Sequence, residues 1–176
     1  MNLPNKLTVA RVVAVPFFIA AFMLGWYAIS LVIFALASLT DMLDGKIARA
    51  RGLVTNFGKI MDPLADKILV YSALCLFIDI KVIAGWTLIL ILAREFTVAG
   101  MRTVAASEGR VLAAGMSGKI KTVLQMIAVI VIILALALPG YGVIMTAGLV
   151  VFYASLVMTV YSGCEYVLQN KDVFSM

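Results

Sequence analysis

Apolar residues run through this chain in long blocks near 7–25, 27–48, 58–79, 82–105, 119–138 and 143–166. Each block approaches the roughly 20 residues that a helix needs to cross a bilayer. Blocks of this length exceed a barrel strand, and backbone in lipid must satisfy its polar groups internally, so the pattern predicts helices. The shortest interruptions, Asp79-Ile80-Lys81 and Leu138-Pro139-Gly140-Tyr141-Gly142, read as tight turns. The expectation is an all-α integral membrane protein, with six transmembrane helices in one bundle and a single domain over residues 1–176. The first block opens near Lys6 and Arg11 and superficially resembles a signal peptide. It has no convincing A-x-A cleavage site and a second block follows at once, so it is expected to remain as a span.

Basic residues add a direction to this pattern. The connections near 25–28 and 138–142 hold no Lys or Arg, and the one near 79–81 holds only Lys81, beside Asp79. Lys6, Arg11, Lys46, Arg49, Arg51, Arg102, Arg110, Lys119, Lys121 and Lys171 gather at the opposite side. That asymmetry puts both termini and the 49–57 and 106–118 connections in the cytoplasm. Composition agrees with a membrane setting: 64% hydrophobic, 13% charged, mean hydropathy +1.13, against about 45–50% and 25% in soluble domains. Net charge is +5, mostly on the basic face. Cys75 and Cys164 lie far apart on apolar segments and are expected to be buried packing thiols, with neither a disulfide nor a thiolate metal site. Histidine is absent, which removes imidazole catalysis and every His-containing zinc motif. Carboxylates are left to handle protons and metal.

The acids are concentrated. Residues 41–66 read D-x-x-D-G-x-x-A-R, eight residues, then G-x-x-x-D-x-x-x-D. A charged side chain at the centre of a lipid-facing helix costs about 2.5–3.5 kcal/mol, so four would cost on the order of 10 kcal/mol unless they line a wet pocket and are neutralised. At 100° per residue, Asp41, Asp44, Gly45 and Ala48 share one side of the second span, and Gly58, Asp62 and Asp66 share one face of the third. Two such helices turned toward each other gather four carboxylates. Hard oxygen ligands at this density suit Mg²⁺ or Mn²⁺, and two ions would balance the four charges. Gly45 and Ala48 leave that face without bulk, and Arg49 at the cytoplasmic mouth can hold a phosphate. An ion-pair network with Lys46, Arg49, Lys59 and Lys67 is the plainer alternative, but buried pairs rarely repay their desolvation. For Gly45, Ala48 and Gly58, close helix packing is a rival reading. Pro63 frees the Lys59 carbonyl and either aims Asp62 or only bends the helix.

This signature resembles that of the CDP-alcohol phosphatidyltransferases and matches it at every fixed position. Further stretches resemble one branch, the phosphatidylglycerophosphate synthases: Asn2-Leu3-Pro4-Asn5-Lys6-Leu7-Thr8 with Arg11, Ala93-Arg94-Glu95-Phe96 with Arg102, and Gly118-Lys119-Ile120-Lys121-Thr122 with Gln125 and Met126. The resemblance implies transfer of a phosphatidyl group from CDP-diacylglycerol to sn-glycerol 3-phosphate, releasing CMP. It implies that Asp41, Asp44 and Asp62 hold the metal ions, with Asp66 partly shared and also the general base. It implies that Gly45, Ala48, Arg49 and Gly58 receive the cytidine nucleotide. It further implies a homodimer. The absence of a transit peptide points to a bacterial inner membrane, and the charge asymmetry opens the active site to the cytoplasm. No nucleic-acid partner is expected.

An acceptor that carries its own phosphate needs a second anion pocket. Arg94, Arg102 and Lys119 are the expected clamp, whereas Arg110 and Lys121 read more naturally as solvated loop charges. Arg94 lies too deep for a topology signal, so a substrate role or a pair with Glu95 is expected. The segment 113–120 mimics a P-loop but has Ala113 and Ile120 where Gly and Ser or Thr belong. Alternatives are the same chemistry on inositol phosphate, serine or a phospholipid, and more remotely a membrane prenyltransferase or a cation transporter. Clustering of the charges on one side argues against a transport path.

Overall fold

The computed structural model describes residues 3–50, 56–113, 115–138, 140 and 142–174, and follows the backbone alone at 3–6, 41–50, 56–60, 62, 63, 66 and 174. Among the described residues the chain is all-helical: α1 (Leu3–Met23), α2 (Tyr27–Ala50), α3 (Asn56–Asp79), α4 (Gly85–Ser107), α5 (Met116–Ala137) and α6 (Gly142–Gln169), then a 3-10 turn over Lys171–Phe174. Each helix falls on one apolar block, and their limits depart from it by a few residues.

The expected tight turn at 79–81 is present, whereas that at 138–142 falls partly outside the described residues. After α1 the amide of Gly25 donates to the Phe22 carbonyl at 3.0 Å and that of Trp26 to Ala21 at 2.9 Å. Gly25 takes φ +75°, a conformation open to glycine without steric cost. After α3 the same stop is made with Lys81 at φ 59°, a position that costs a side-chain-bearing residue about 1–2 kcal/mol. The amides of Lys81 and Val82 close it on Ile78 and Phe77, at 3.0 and 2.8 Å.

Aromatic packing joins α1, α2 and α3. Phe18 and Phe34 are fully buried with ring centroids 5.7 Å apart, and Phe22 sits 6.0 Å from Phe77. Among the described residues the pairing of α5 with α6 is the most extensive. A Cβ added at Gly148 would meet Ile132 Cγ1 at 2.8 Å and the Ile132 backbone nitrogen at 3.2 Å. This is the close approach that small residues allow between membrane helices. Large apolar side chains, including Phe17, Ile89, Phe96, Val150 and Val157, face outward. Such an exterior suits lipid.

Among the described residues two helices, Met116–Ala137 and Gly142–Gln169, are long and apolar enough to cross a membrane. The apolar portions of α1 and α2 are shorter, Leu7–Met23 and Tyr27–Thr40. Charges such as Asp66 and Lys67 in α3 and Arg94 and Glu95 in α4 interrupt the others.

Some expectations need correction. Arg11, grouped by its charge with the other basic residues, is buried rather than presented at a surface: it is 2% exposed, and its Nε donates to the Ala37 carbonyl at 3.2 Å. Thr8, Arg11, Val15, Phe18 and Phe22 form one buried stripe at helical spacing, and that face packs inward. Cys75 and Cys164 are free thiols, as expected, but exposed on the outer faces of α3 and α6 rather than packed in the core.

Candidate active site

α3, α4, α5 and α6 converge around a cavity of about 450 Å³. Arg94 and Arg102 reach it from α4, Lys119 from the first turn of α5, and Lys67 from α3. The three residues expected to clamp an acceptor phosphate are therefore brought together. Glu95 organises the group. Its Oε2 lies 3.0 Å from Lys67 Nζ, and its Oε1 lies 3.2 Å from Arg94 Nη1 and 2.6 Å from Lys121 Nζ. One carboxylate thus ties cations from three helices.

Lys121 is accordingly no solvated loop charge. Its side chain is 4% exposed, because it lies one helical turn inside α5 and faces α4. Arg110 does behave as an exposed charge: it donates to Asp172 at 2.8 Å, and this bond holds the exposed Asp172 carboxyl below its usual range.

Arg94 is held with little freedom. A Cβ at Gly118 would stand 2.9 Å from its Nη2, and a Cβ at Gly163 would stand 2.9 Å from its Cγ. The side chain passes between α5 and α6 where both carry glycine. Its Nε is buried with no hydrogen-bond partner among the described residues, a donor left for a ligand or water to satisfy. Arg102 is oriented differently: its Nε donates to Tyr166 Oη at 3.0 Å, and the guanidinium carbon lies 5.3 Å from that ring's centroid.

The remaining wall comes from α6 and was not anticipated. Ser162, Glu165, Tyr166 and Gln169 line the cavity. They recur at i, i+3, i+4 and i+7, the spacing of one helix face. Reading 143–166 as a uniformly apolar span hid this polar stripe. Ser117 donates to Glu165 Oε2, and Gln169 Nε2 donates to Oε1 at 3.3 Å. Among the described residues the lining carries four cations (Lys67, Arg94, Arg102, Lys119) against two carboxylates (Glu95, Glu165), and Lys121 adds positive charge behind Glu95. The surplus favours an anion with more than one negative charge.

The side chains of Asp41, Asp44, Gly45, Ala48, Arg49, Gly58, Asp62, Pro63 and Asp66 lie outside the described residues. The backbone is helical through 41–50 at the end of α2 and through 56–66 at the start of α3. Lys67, on the cavity wall, directly follows Asp66. Among the described residues no three His, Cys, Asp or Glu side chains gather as a metal site.

The sequence profile of the CDP-alcohol phosphatidyltransferases matches residues 1–161. The chain belongs to that family. It is 40% identical over 186 residues to the CDP-diacylglycerol–glycerol-3-phosphate 3-phosphatidyltransferase of Bacillus subtilis, covering 97% of this chain and 96% of that protein. The protein of the same name from Rickettsia felis is 35% identical, with 98% and 97% covered. A cardiolipin synthase (CMP-forming) from Oryza sativa is also 35% identical, over 94% of this chain and 56% of that protein. In this phosphatidyltransferase, cavity residues 162–169 lie past the matched segment.

Proposed function

We propose that the chain transfers the phosphatidyl group of CDP-diacylglycerol to sn-glycerol 3-phosphate, giving phosphatidylglycerol phosphate and CMP. The observation that carries this reading is the cationic cavity beginning at Lys67, the residue after Asp66. A small phosphate-bearing acceptor held by Arg94, Arg102 and Lys119 would present its sn-1 hydroxyl toward the acid-bearing turn of α3. Arginine suits this work because its planar fork binds phosphate oxygens in pairs.

In this reading Asp66 takes the proton from the sn-1 hydroxyl as the oxygen attacks the phosphatidyl phosphorus. The bond from that phosphorus to the bridging oxygen breaks, and CMP departs with the electron pair. A single in-line displacement is favoured because transferring phosphoryl groups needs mainly positioning and charge stabilisation. Gly45, Ala48, Arg49 and Gly58 receive the cytidine nucleotide.

Asp41, Asp44, Asp62 and Asp66 offer only hard oxygen donors in a chain without histidine. That donor set fits Mg²⁺ or Mn²⁺, and two ions would match its charge. Bound there, divalent cations polarise the diphosphate and offset charge on the departing CMP.

All six helices are read as spans of a bacterial inner membrane, with both termini and the site on the cytoplasmic side. The charge asymmetry of the connections supports this. The active form is read as a homodimer. A phospholipid acceptor, suggested by the name of the rice relative, would bring a phosphodiester with one charge; the cationic surplus of the cavity favours a dianionic monoester. Purified protein supplied with radiolabelled glycerol 3-phosphate and CDP-diacylglycerol should label lipid, and chelator should stop it. Labelling only from a phospholipid acceptor would overturn the assignment.

A further inference from the structure

Glu165 is an anomaly in an anion pocket. It lines the cavity with four cations, yet among the described residues it forms no ion pair. Neutral donors hold it: Ser117 on Oε2 and Gln169 on Oε1. Each carboxylate oxygen accepts from two directions, so each retains one. The carboxylate is thus fixed in place, aimed by α5 and α6, with unused accepting capacity at the cavity. Its negative charge repels a phosphate from this wall and leaves Arg94, Arg102 and Lys119 as the phosphate's place. What remains for Glu165 is a hydroxyl.

We propose that Glu165 determines acceptor specificity by accepting a hydrogen bond from the acceptor's non-reacting hydroxyl, so that the cavity selects short polyol monophosphates. This rests on the transfer reading above and deepens it. With the phosphate on the arginines and the attacking hydroxyl toward α3, the hydroxyl on the middle carbon falls to α6. The family profile ends at residue 161, so Glu165 lies outside the part of the chain that matches the common transferase sequence. A carboxylate that loses its hydroxyl partner is left imperfectly satisfied, which is how a polar site rejects an analogue lacking one group.

The test compares two acceptors on the purified full-length enzyme: glycerol 3-phosphate and the monophosphate of propane-1,3-diol, which lacks only the middle hydroxyl. The wild type should favour glycerol 3-phosphate by about tenfold or more in kcat/KM. Glu165→Ala should reduce that preference to within about twofold, with KM for CDP-diacylglycerol unchanged. Glu165→Gln keeps the shape and one accepting oxygen, and should retain part of the preference; it also serves if the alanine variant does not fold. An unchanged preference in both variants, or equal losses on both acceptors, would overturn the role of Glu165. A wild type that uses neither acceptor would instead overturn the transfer reading, and this inference with it.

Discussion

Gly163→Ala should weaken acceptor binding through Arg94. The added methyl would stand 2.9 Å from Arg94 Cγ and 3.8 Å from its Cβ, where relaxed carbon contacts lie at about 3.5–4.0 Å. Roughly 0.6–1 Å must be absorbed by the arginine stem or by separation of α4 from α6. The stem cannot swing freely, because the guanidinium already rests against α5 at Gly118. Displacing the guanidinium by that much forfeits a charge-assisted hydrogen bond worth about 1.5–3 kcal/mol. The expected result is a rise of about 10–100-fold in KM for glycerol 3-phosphate, with KM for CDP-diacylglycerol little changed. Steady-state kinetics with both substrates varied would measure it. Because the effect is assigned to Arg94, adding Gly163→Ala to Arg94→Ala should raise KM no further. An unaltered acceptor KM in a well-folded Gly163→Ala protein, or full additivity with Arg94→Ala, would refute the reasoning.

Glu95→Gln removes the only carboxylate that, among the described residues, pairs with buried Lys121, and breaking such a pair costs about 3–5 kcal/mol; the melting temperature in detergent should fall clearly, and an unchanged one would deny Glu95 its central place. Asp66→Asn should abolish CMP release while metal-dependent nucleotide binding stays measurable, and full turnover would remove the assigned base. Arg102→Ala should mainly raise KM for glycerol phosphate by about tenfold or more, whereas a larger defect with CDP-diacylglycerol would move that residue to the donor.

Much of the fold was legible because hydrophobic period and block length are strong signals in an apolar chain. Helices fall on all six blocks, and Asp79-Ile80-Lys81 turns tightly even with Lys81 where glycine would be easier. Arg94 was legible because a charge deep in an apolar helix needs a reason, and Arg102 and Lys119 joined it because an acceptor phosphate calls for a second set of cations. What escaped depends on rotation about the helix axis and on partners distant in sequence. Arg11 was counted only as one of the basic residues that set orientation, although its own stripe pointed inward. Lys121 was misread because its partner, Glu95, sits on another helix 26 residues away. Glu165 was missed because its polar neighbours recur at helical spacing inside a segment scanned only for hydropathy.

The shared carboxylate of Glu95 constrains how such an enzyme can be rebuilt. Lys67, Arg94 and Lys121 belong to three helices but, among the described residues, answer to one counter-charge, so none can be exchanged without leaving the others misbalanced. Grafting α4 alone from a transferase of different acceptor taste should therefore give an inactive chimera. Moving the three helices as one block keeps the charges matched, and altered specificity is then best sought on the far wall, in the last turns of α6.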